Sequence, residues 1–209
     1  MDMKHTARII INIVIAVSVP AAWIWMALSA EGTLASTGLR SLRYFTVLSN
    51  FLEGIASIAY IVSAFRHSGE ATYRVRVFKY VAAVQVAITF LTVAVLLVPI
   101  WGILDLFSGP NLFFHLLVPL AAITEYIVFR DNRLRFVDNL FVMIPVFLYG
   151  VAYTINIIIN GIGDTPETTN DWYYFLNWGW YVGAAIFVGI LSTAFVVGFI
   201  LRLTKRKNQ

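Results

Sequence analysis

The sequence predicts an all-α protein, a single polytopic bundle of six transmembrane helices with both termini cytoplasmic. The composition is 60% hydrophobic and only 12% charged, and the mean hydropathy is +0.80, which is far from the balance of a soluble domain. The apolar residues also fall into six runs that are each long enough to cross a hydrocarbon core, which takes about 20 residues. The connections are short and polar, so residues 1–209 are expected to form one integral membrane domain.

The six predicted helices span residues 9–29, 44–65, 78–98, 112–129, 140–159 and 173–201. A sequence pI of about 9.4 could suggest a nucleic-acid partner, but the basic residues lie between apolar runs instead of on one soluble face. We therefore expect no nucleic-acid partner. Lys79, the second residue of the third run, is counted with the cytoplasmic basic residues. On that count no membrane helix is taken to contain a lysine, which excludes a retinal Schiff base.

The distribution of basic residues predicts the orientation of the helices. Two of the fifteen Lys and Arg residues, Arg40 and Arg43, lie on one side of the membrane, and thirteen lie on the other. These thirteen are Lys4, Arg8, Arg66, Arg74, Arg76, Lys79, Arg130, Arg133, Arg135, Arg202, Lys205, Arg206 and Lys207. Loops rich in Lys and Arg stay cytoplasmic, so the connections at 30–43, 99–111 and 160–172 are expected outside. The cell membrane is the expected location.

The first apolar run also allows a signal peptide, because Lys4 and Arg8 precede it. The run is longer than the apolar region of a usual signal peptide and contains Trp23 and Trp25. We therefore expect it to stay in the protein as the first membrane helix.

Polar residues form a stripe on the second predicted helix. Thr46, Ser49, Asn50 and Glu53 follow an i, i+3, i+4, i+7 spacing, and Ser57 continues it. Polar side chains are costly in lipid, so the stripe is expected to face the bundle interior. Helix packing is the alternative explanation for the hydroxyl groups. The Glu53 carboxylate, deep in the helix, additionally needs a partner, a proton or water.

His115 lies near the outer end of the fourth helix, at a depth similar to that of Thr46 on the second. A hydroxyl and an imidazole at one level are the minimum parts of a nucleophile and its general base. A structural, hydrogen-bonded histidine is the alternative. Glu53 lies roughly 10 Å deeper at 1.5 Å per residue, which favours a network or structural role for this acid. Glu125, near the cytoplasmic end, is expected to form an interfacial ion pair with Arg130.

Further polar residues belong to the outer half of the bundle. Tyr149, Tyr153 and Asn156 share one face of the fifth helix, and Trp172 opens an aromatic segment before the sixth. Helix packing and an interfacial aromatic belt are the alternatives here. The chain has no cysteine and no metal-ligand spacing of His, Asp and Glu, so we expect neither a metal nor an organic cofactor.

Three motifs resemble a known family. They are RYFTVLSNFL at 43–52, HLLVP at 115–119 with an acid at Glu125, and more weakly WYYF at 172–175. Together they resemble the androgen-induced and androgen-dependent membrane protein family and its bacterial relatives, and the shared topology covers nearly the whole chain. The resemblance implies an intramembrane threonine hydrolase with Thr46 and His115 as the catalytic pair. It also implies a lipid ester as substrate, since the animal members cleave fatty acid esters of hydroxy fatty acids.

The leading expectation is thus a lipid-ester hydrolase whose site opens in the outer half of the bilayer. Thr46 is the expected nucleophile and His115 the base, with Ser49 and Asn50 stabilising the oxyanion or orienting the pair. The alternative is a non-enzymatic membrane binder or transporter. In that case Glu53, His115 and Glu125 would form a proton or lipid-headgroup pathway, the carboxylates would be essential and Thr46 dispensable.

The predicted orientation can be tested with reporter fusions. Reporters inserted at residues 36, 105 and 167 are expected outside the cell, because the basic residues hold the other connections in the cytoplasm. The measurement is the activity of a reporter that works on one side of the membrane only. Cytoplasmic activity at these three positions would refute the orientation.

Overall fold

The computed structural model describes residues 3–29, 38–129, 134–163 and 169–203, and this part of the chain contains helices and no strand. Six helices are long and apolar enough to cross a membrane, which confirms the predicted all-α fold with six spans, while the cytoplasmic placement of the termini stays a prediction. They are α1 (Met3–Ser29), α2 (Phe45–Arg66), α3 (Tyr73–Leu97), α4 (Gly109–Val128), α5 (Asp138–Asn160) and α6 (Trp180–Leu203). A short 3-10 helix, Gly38–Arg43, precedes α2, and short turns of helix at Val98–Trp101 and Ile103–Leu106 precede α4.

The six helices alternate in direction, so the bundle has two distinct ends. We call the end at which α1, α3 and α5 begin the basic end. Its described basic residues are Lys4, Arg8, Arg66, Arg74, Arg76, Arg135 and Arg202. The other end, at which α2, α4 and α6 begin, is called the opposite end.

α3 lies at the centre of the bundle. In its most apolar stretch 61% of the residues are buried, against 17% in α6. One apolar cluster joins α3 to α5 and α6 through Val84, Val146 and Ala194, among others. A second joins α1 to α4 through Val19 and Val118. Most apolar side chains of α5 and α6 are exposed, as expected for helices that face lipid.

Two of the helices contain a π-helical turn. These turns span Val93–Leu97 in α3 and Phe113–Leu117 in α4. Pro99 and Pro119 each follow two residues later, and proline has no N–H for the α-helical ladder. The second π turn contains His115, and such turns occur frequently at functional sites.

α6 begins at Trp180, seven residues later than predicted. Residues 171–179 form turns instead, with positive φ at Tyr174 and Gly179. The Asp171 carboxylate accepts hydrogen bonds from the N–H groups of Phe175 and Leu176, both at 2.9 Å. Asp171 therefore stabilises a tight turn where hydropathy alone predicted helix.

α3 begins at Tyr73, five residues earlier than predicted. The earlier start places Lys79 two turns inside the helix, with only 1% of its side chain exposed. Counting Lys79 with the cytoplasmic basic residues was wrong, and with it the statement that no membrane helix contains a lysine. The sequence therefore gives no basis for excluding a membrane-buried amine.

The contact between α5 and α6 provides a stability test. A Cβ at Gly150 would overlap the Phe187 ring, which stacks on Phe147. Gly150→Ala is expected to destabilise the protein by about 1–3 kcal/mol, because the ring must move in a packed interface. Gly189→Ala on α6 is the matched control, since nothing lies within 4 Å of its Cβ. The measurement is the thermal midpoint in detergent, and equal midpoints for the two variants would contradict this packing.

Candidate functional site

The amino end of α2 is held by a residue from the connection between α5 and α6. Tyr44 precedes the helix in an extended conformation and provides no side-chain cap. The Tyr173 hydroxyl takes that place, since it accepts a hydrogen bond from Phe45 N at 2.8 Å and also has a backbone hydrogen bond with Thr46. Burial raises the pKa of Tyr173 to about 12, so the phenol keeps its proton at neutral pH. Tyr173 thereby fixes the helical turn that carries Thr46.

Aromatic side chains surround this helix end. Tyr149 donates a hydrogen bond to the Arg43 carbonyl at 2.7 Å, and the Trp172 indole donates to the Tyr149 hydroxyl at 2.9 Å. The Arg43 guanidinium lies 5.4 Å from the centre of the Trp172 ring. Tyr153 donates a hydrogen bond to Asp171 and packs edge-on against Trp172. The structure thus brings the candidates Tyr153 and Trp172 to the start of α2.

Asn156 lies apart from this aromatic group. Its amide donates to Asn170 at 3.1 Å and its carbonyl oxygen accepts from Asn160 at 2.9 Å. These contacts stabilise the carboxyl end of α5 and the following turn. In the described part of the chain, the contacts of Asn156 therefore stabilise the fold.

Asn50 joins the two helices that carry the candidate catalytic residues. Its side chain is fully buried, and its amide donates to the Thr46 carbonyl at 2.7 Å and to the Phe114 carbonyl at 3.0 Å. Phe114 directly precedes His115 in the π turn of α4. Ser49 supports the same turn, since its hydroxyl donates to the Thr46 carbonyl at 3.0 Å and lies 2.8 Å from Thr89 Oγ1. Asn50 therefore connects the turn of α2 that contains Thr46 to the turn of α4 that contains His115.

The His115 ring is oriented by a backbone carbonyl. The side chain is 3% exposed, and Nδ1 lies 2.7 Å from the Leu106 carbonyl oxygen. A carbonyl accepts hydrogen bonds only, so this contact assigns the proton to Nδ1 and leaves Nε2 as the basic nitrogen. No hydrogen bond joins the Thr46 hydroxyl to His115 among the described residues. Their predicted approach, directly or through one water, stays a prediction.

Glu53 lies on the polar stripe of α2, one turn after Asn50, and is fully buried. Lys79 of α3 donates hydrogen bonds to the Glu53 carboxylate and to Ser57 Oγ, the latter at 2.7 Å. The expectation that Glu53 is paired or protonated is confirmed by this ion pair. Within the described residues the Glu53 carboxylate has no hydrogen bond to His115, which is consistent with its predicted network role.

Glu125 also lies inside the bundle, with no exposed surface. Arg8 of α1 donates to Glu125 Oε1 through Nε at 2.5 Å, and Lys79 Nζ lies 4.0 Å from Oε2. Asn12 adds a long hydrogen bond of 3.4 Å to Oε1. The predicted partner Arg130 lies outside the described residues. Glu125 is thus buried and paired with a residue of another helix, where an interfacial position was predicted.

The sequence did not predict the pairing of Arg8 and Lys79 with the buried acids, because both were counted with the cytoplasmic basic residues. Lys79 stands between Phe78 and Tyr80 and is followed by an uninterrupted apolar run, which is a signal that it enters the membrane. The need of Glu53 for a counter-charge was a second signal. Tyr173 had no such signal, because its contact with α2 depends on the tertiary fold alone.

The described residues contain no group of three His, Asp or Glu side chains that could hold a metal ion. No family model, no curated protein and no solved structure matches the chain.

The Glu53–Lys79 pair leads to a stability prediction. Glu53→Leu removes the carboxylate and leaves Lys79 buried, so it is expected to cost about 3 kcal/mol. This is the lower end of the usual range, because Glu125 offers a second carboxylate 4.0 Å away. Glu53→Gln keeps the shape and an acceptor oxygen for Lys79, so it is expected to cost less. Purified yield and thermal midpoint measure both effects, and a Leu variant as stable as wild type would refute the pairing.

Proposed function

We propose that the protein is an intramembrane lipid-ester hydrolase in which Thr46 is the nucleophile and His115 the general base. The observation that carries the proposal is the bridge by Asn50, whose amide bonds to the Thr46 carbonyl and to the carbonyl before His115. The hydrogen bond from His115 Nδ1 to the Leu106 carbonyl supports it further, because it leaves Nε2 as the basic nitrogen. The resemblance of the motifs around both residues points the same way.

In this mechanism the Thr46 hydroxyl oxygen attacks the ester carbonyl carbon while His115 Nε2 takes the hydroxyl proton. The tetrahedral intermediate collapses and the alcohol leaves with the proton from His115. A water molecule then attacks the acyl-threonine with His115 again as base, which releases the fatty acid and restores Thr46. Each step moves one proton through one imidazole, so the two residues complete the cycle.

Asn50 acts as a positioning residue in this proposal. An amide has two N–H groups, and carbonyls occupy both of them. Asn50 therefore orients the catalytic pair, which was one of the two roles expected for it. Ser49 supports the same backbone turn through the Thr46 carbonyl.

The proposed substrate is a fatty-acyl ester that reaches the site from the membrane. Thr46 is only partly buried, whereas Asn50 and His115 are enclosed. Apolar helix faces would hold the acyl chain, and Tyr153 and Trp172 provide polar groups beside the start of α2. The six helices indicate a multi-pass membrane protein, and we place it in the cell membrane as part of this proposal.

The second candidate is the non-enzymatic membrane binder or transporter. It is favoured by one observation, the meeting of Glu53 and Glu125 at Lys79 inside the bundle. His115 has no contact with this group in the described residues, so the three-residue pathway is not continuous there. The two candidates differ in which residues are essential, because the second one requires the carboxylates and not Thr46.

The proposal is tested by labelling purified protein with a fluorophosphonate or acyl-ester probe and by measuring turnover of a lipid ester. Thr46→Ala is expected to lose the label and at least about 100-fold of turnover while staying folded, because the attacking oxygen is gone. Thr193→Ala is the matched control, since within the described residues this exposed hydroxyl bonds only to the Gly189 carbonyl of its own helix. Turnover in a folded Thr46→Ala variant, together with loss of turnover in a folded Glu53→Gln variant, would refute Thr46 as the nucleophile and favour a carboxylate-centred mechanism.

A further inference from the structure

A buried ion-pair cluster lies between α1, α2, α3 and α4, towards the basic end. It consists of Arg8, Asn12, Glu53, Lys79 and Glu125. Asn12, Glu53 and Glu125 have no exposed surface, and Lys79 is 1% exposed. Arg8 is the outermost member, with 14% of its side chain exposed.

Three acceptor oxygens of the cluster lack a hydrogen-bond donor among the described residues. They are Asn12 Oδ1, Glu53 Oε2 and Glu125 Oε2, and each is inaccessible to solvent. A buried acceptor is costly unless a donor satisfies it, and such groups are rarely grouped together. A proton on one of these carboxylates would turn an unsatisfied acceptor into a donor.

Lys79 has two carboxylates within reach. Its ammonium is hydrogen-bonded to Glu53 and to Ser57, and it lies 4.0 Å from Glu125 Oε2. At that distance Lys79 and Glu125 form an ion pair, but they are too far apart for a hydrogen bond. A small rotation of the flexible lysine stem would exchange the first carboxylate for the second.

Charge balance determines how the cluster responds to a bound proton. With both carboxylates ionised, the two acids balance Arg8 and Lys79. A bound proton leaves one positive charge too many in a medium of low dielectric constant. Arg8 is the cation that can leave, because it is the partly exposed one and Lys79 can replace it at Glu125. Its guanidinium carbon also lies 4.2 Å from the centre of the Tyr60 ring.

We propose that Glu53 is a proton-binding site and that proton uptake moves Lys79 to Glu125 and releases Arg8 towards the basic end. The proton comes from water and adds to a Glu53 oxygen, so only hydrogen bonds and ion pairs are exchanged. In the part of the chain that the structure describes, the titratable and charged groups in contact with the site are Arg8 from α1, Glu53 and Tyr60 from α2, Lys79 from α3 and Glu125 from α4. The proton site does not depend on the proposed hydrolysis.

The test is difference infrared spectroscopy of the full-length protein in lipid nanodiscs during a pH titration. As the pH falls, wild type is expected to gain the C=O band of a buried protonated carboxyl group. Glu53→Gln is expected to lack this band. Glu70→Gln is the matched control, since it removes an exposed carboxylate of equal size and is expected to leave the band unchanged. A band that survives in Glu53→Gln, or no band in wild type, overturns the proposal.

Glu125→Gln keeps the proposal testable if Glu53→Gln does not fold. This variant removes the second carboxylate, so Lys79 stays on Glu53 and opposes its protonation. The band is expected to appear at a pH lower by at least about one unit, a tenfold loss of proton affinity. Size-exclusion profiles verify that each variant is folded. A midpoint equal to that of wild type means that Lys79 does not change partners, and the proposal fails.

Discussion

The constraint on which the bundle depends is the neutralisation of a lysine inside a hydrophobic helix. Lys79 lies in α3, at the centre of the bundle, and a charge at that depth requires an opposite charge on a neighbouring helix. Glu53 supplies it from α2, and Glu125 extends the ion-pair cluster to α4 and through Arg8 to α1. Helices in lipid gain little from burying apolar surface, so these polar contacts select which helices become neighbours. α5 and α6 have no part in the cluster and lie at the periphery.

The opposite end of the bundle is organised by different chemistry. There the hydrogen bonds to the backbone of α2 and of the His115 turn are made by neutral phenol and amide groups, such as Tyr173 and Asn50. The charged Asp171 and Arg43 contact the surrounding aromatic residues. Neutral groups can be buried at lower cost than ions, and they fix the backbone around Thr46. A hydroxyl that attacks an ester benefits from such surroundings, because dry, pre-oriented dipoles act strongly on the charge that develops. The buried ion-pair cluster thus lies towards the basic end of the bundle, and the proposed catalytic residues lie towards the opposite end.

The sequence predicted the features that depend on local pattern. Length and hydropathy identified all six helices, and the helical spacing placed Ser49, Asn50 and Glu53 on one interior stripe, as their burial shows. The features that were predicted wrongly depend on where α3 and α6 begin. Moving the start of α3 by five residues moved Lys79 from the second position of the predicted helix to about two turns inside it, where it pairs with Glu53. Helix ends depend on capping contacts, which can come from a distant segment, as Tyr173 does at the start of α2, or from a local turn, as Asp171 does before α6. Hydropathy does not contain these contacts.

The cap on α2 also has a consequence for the biogenesis of the protein. The Tyr173 hydroxyl that holds Phe45 N comes from a residue 128 positions later in the chain. At a synthesis rate of about 5–20 residues per second, Tyr173 leaves the ribosome on the order of ten seconds after α2 begins to emerge. During that interval α2 can enter the membrane, but its first turn has no cap. The surroundings of Thr46 are therefore completed only when five of the six helices have been synthesised, so a partly made chain does not yet contain the assembled site.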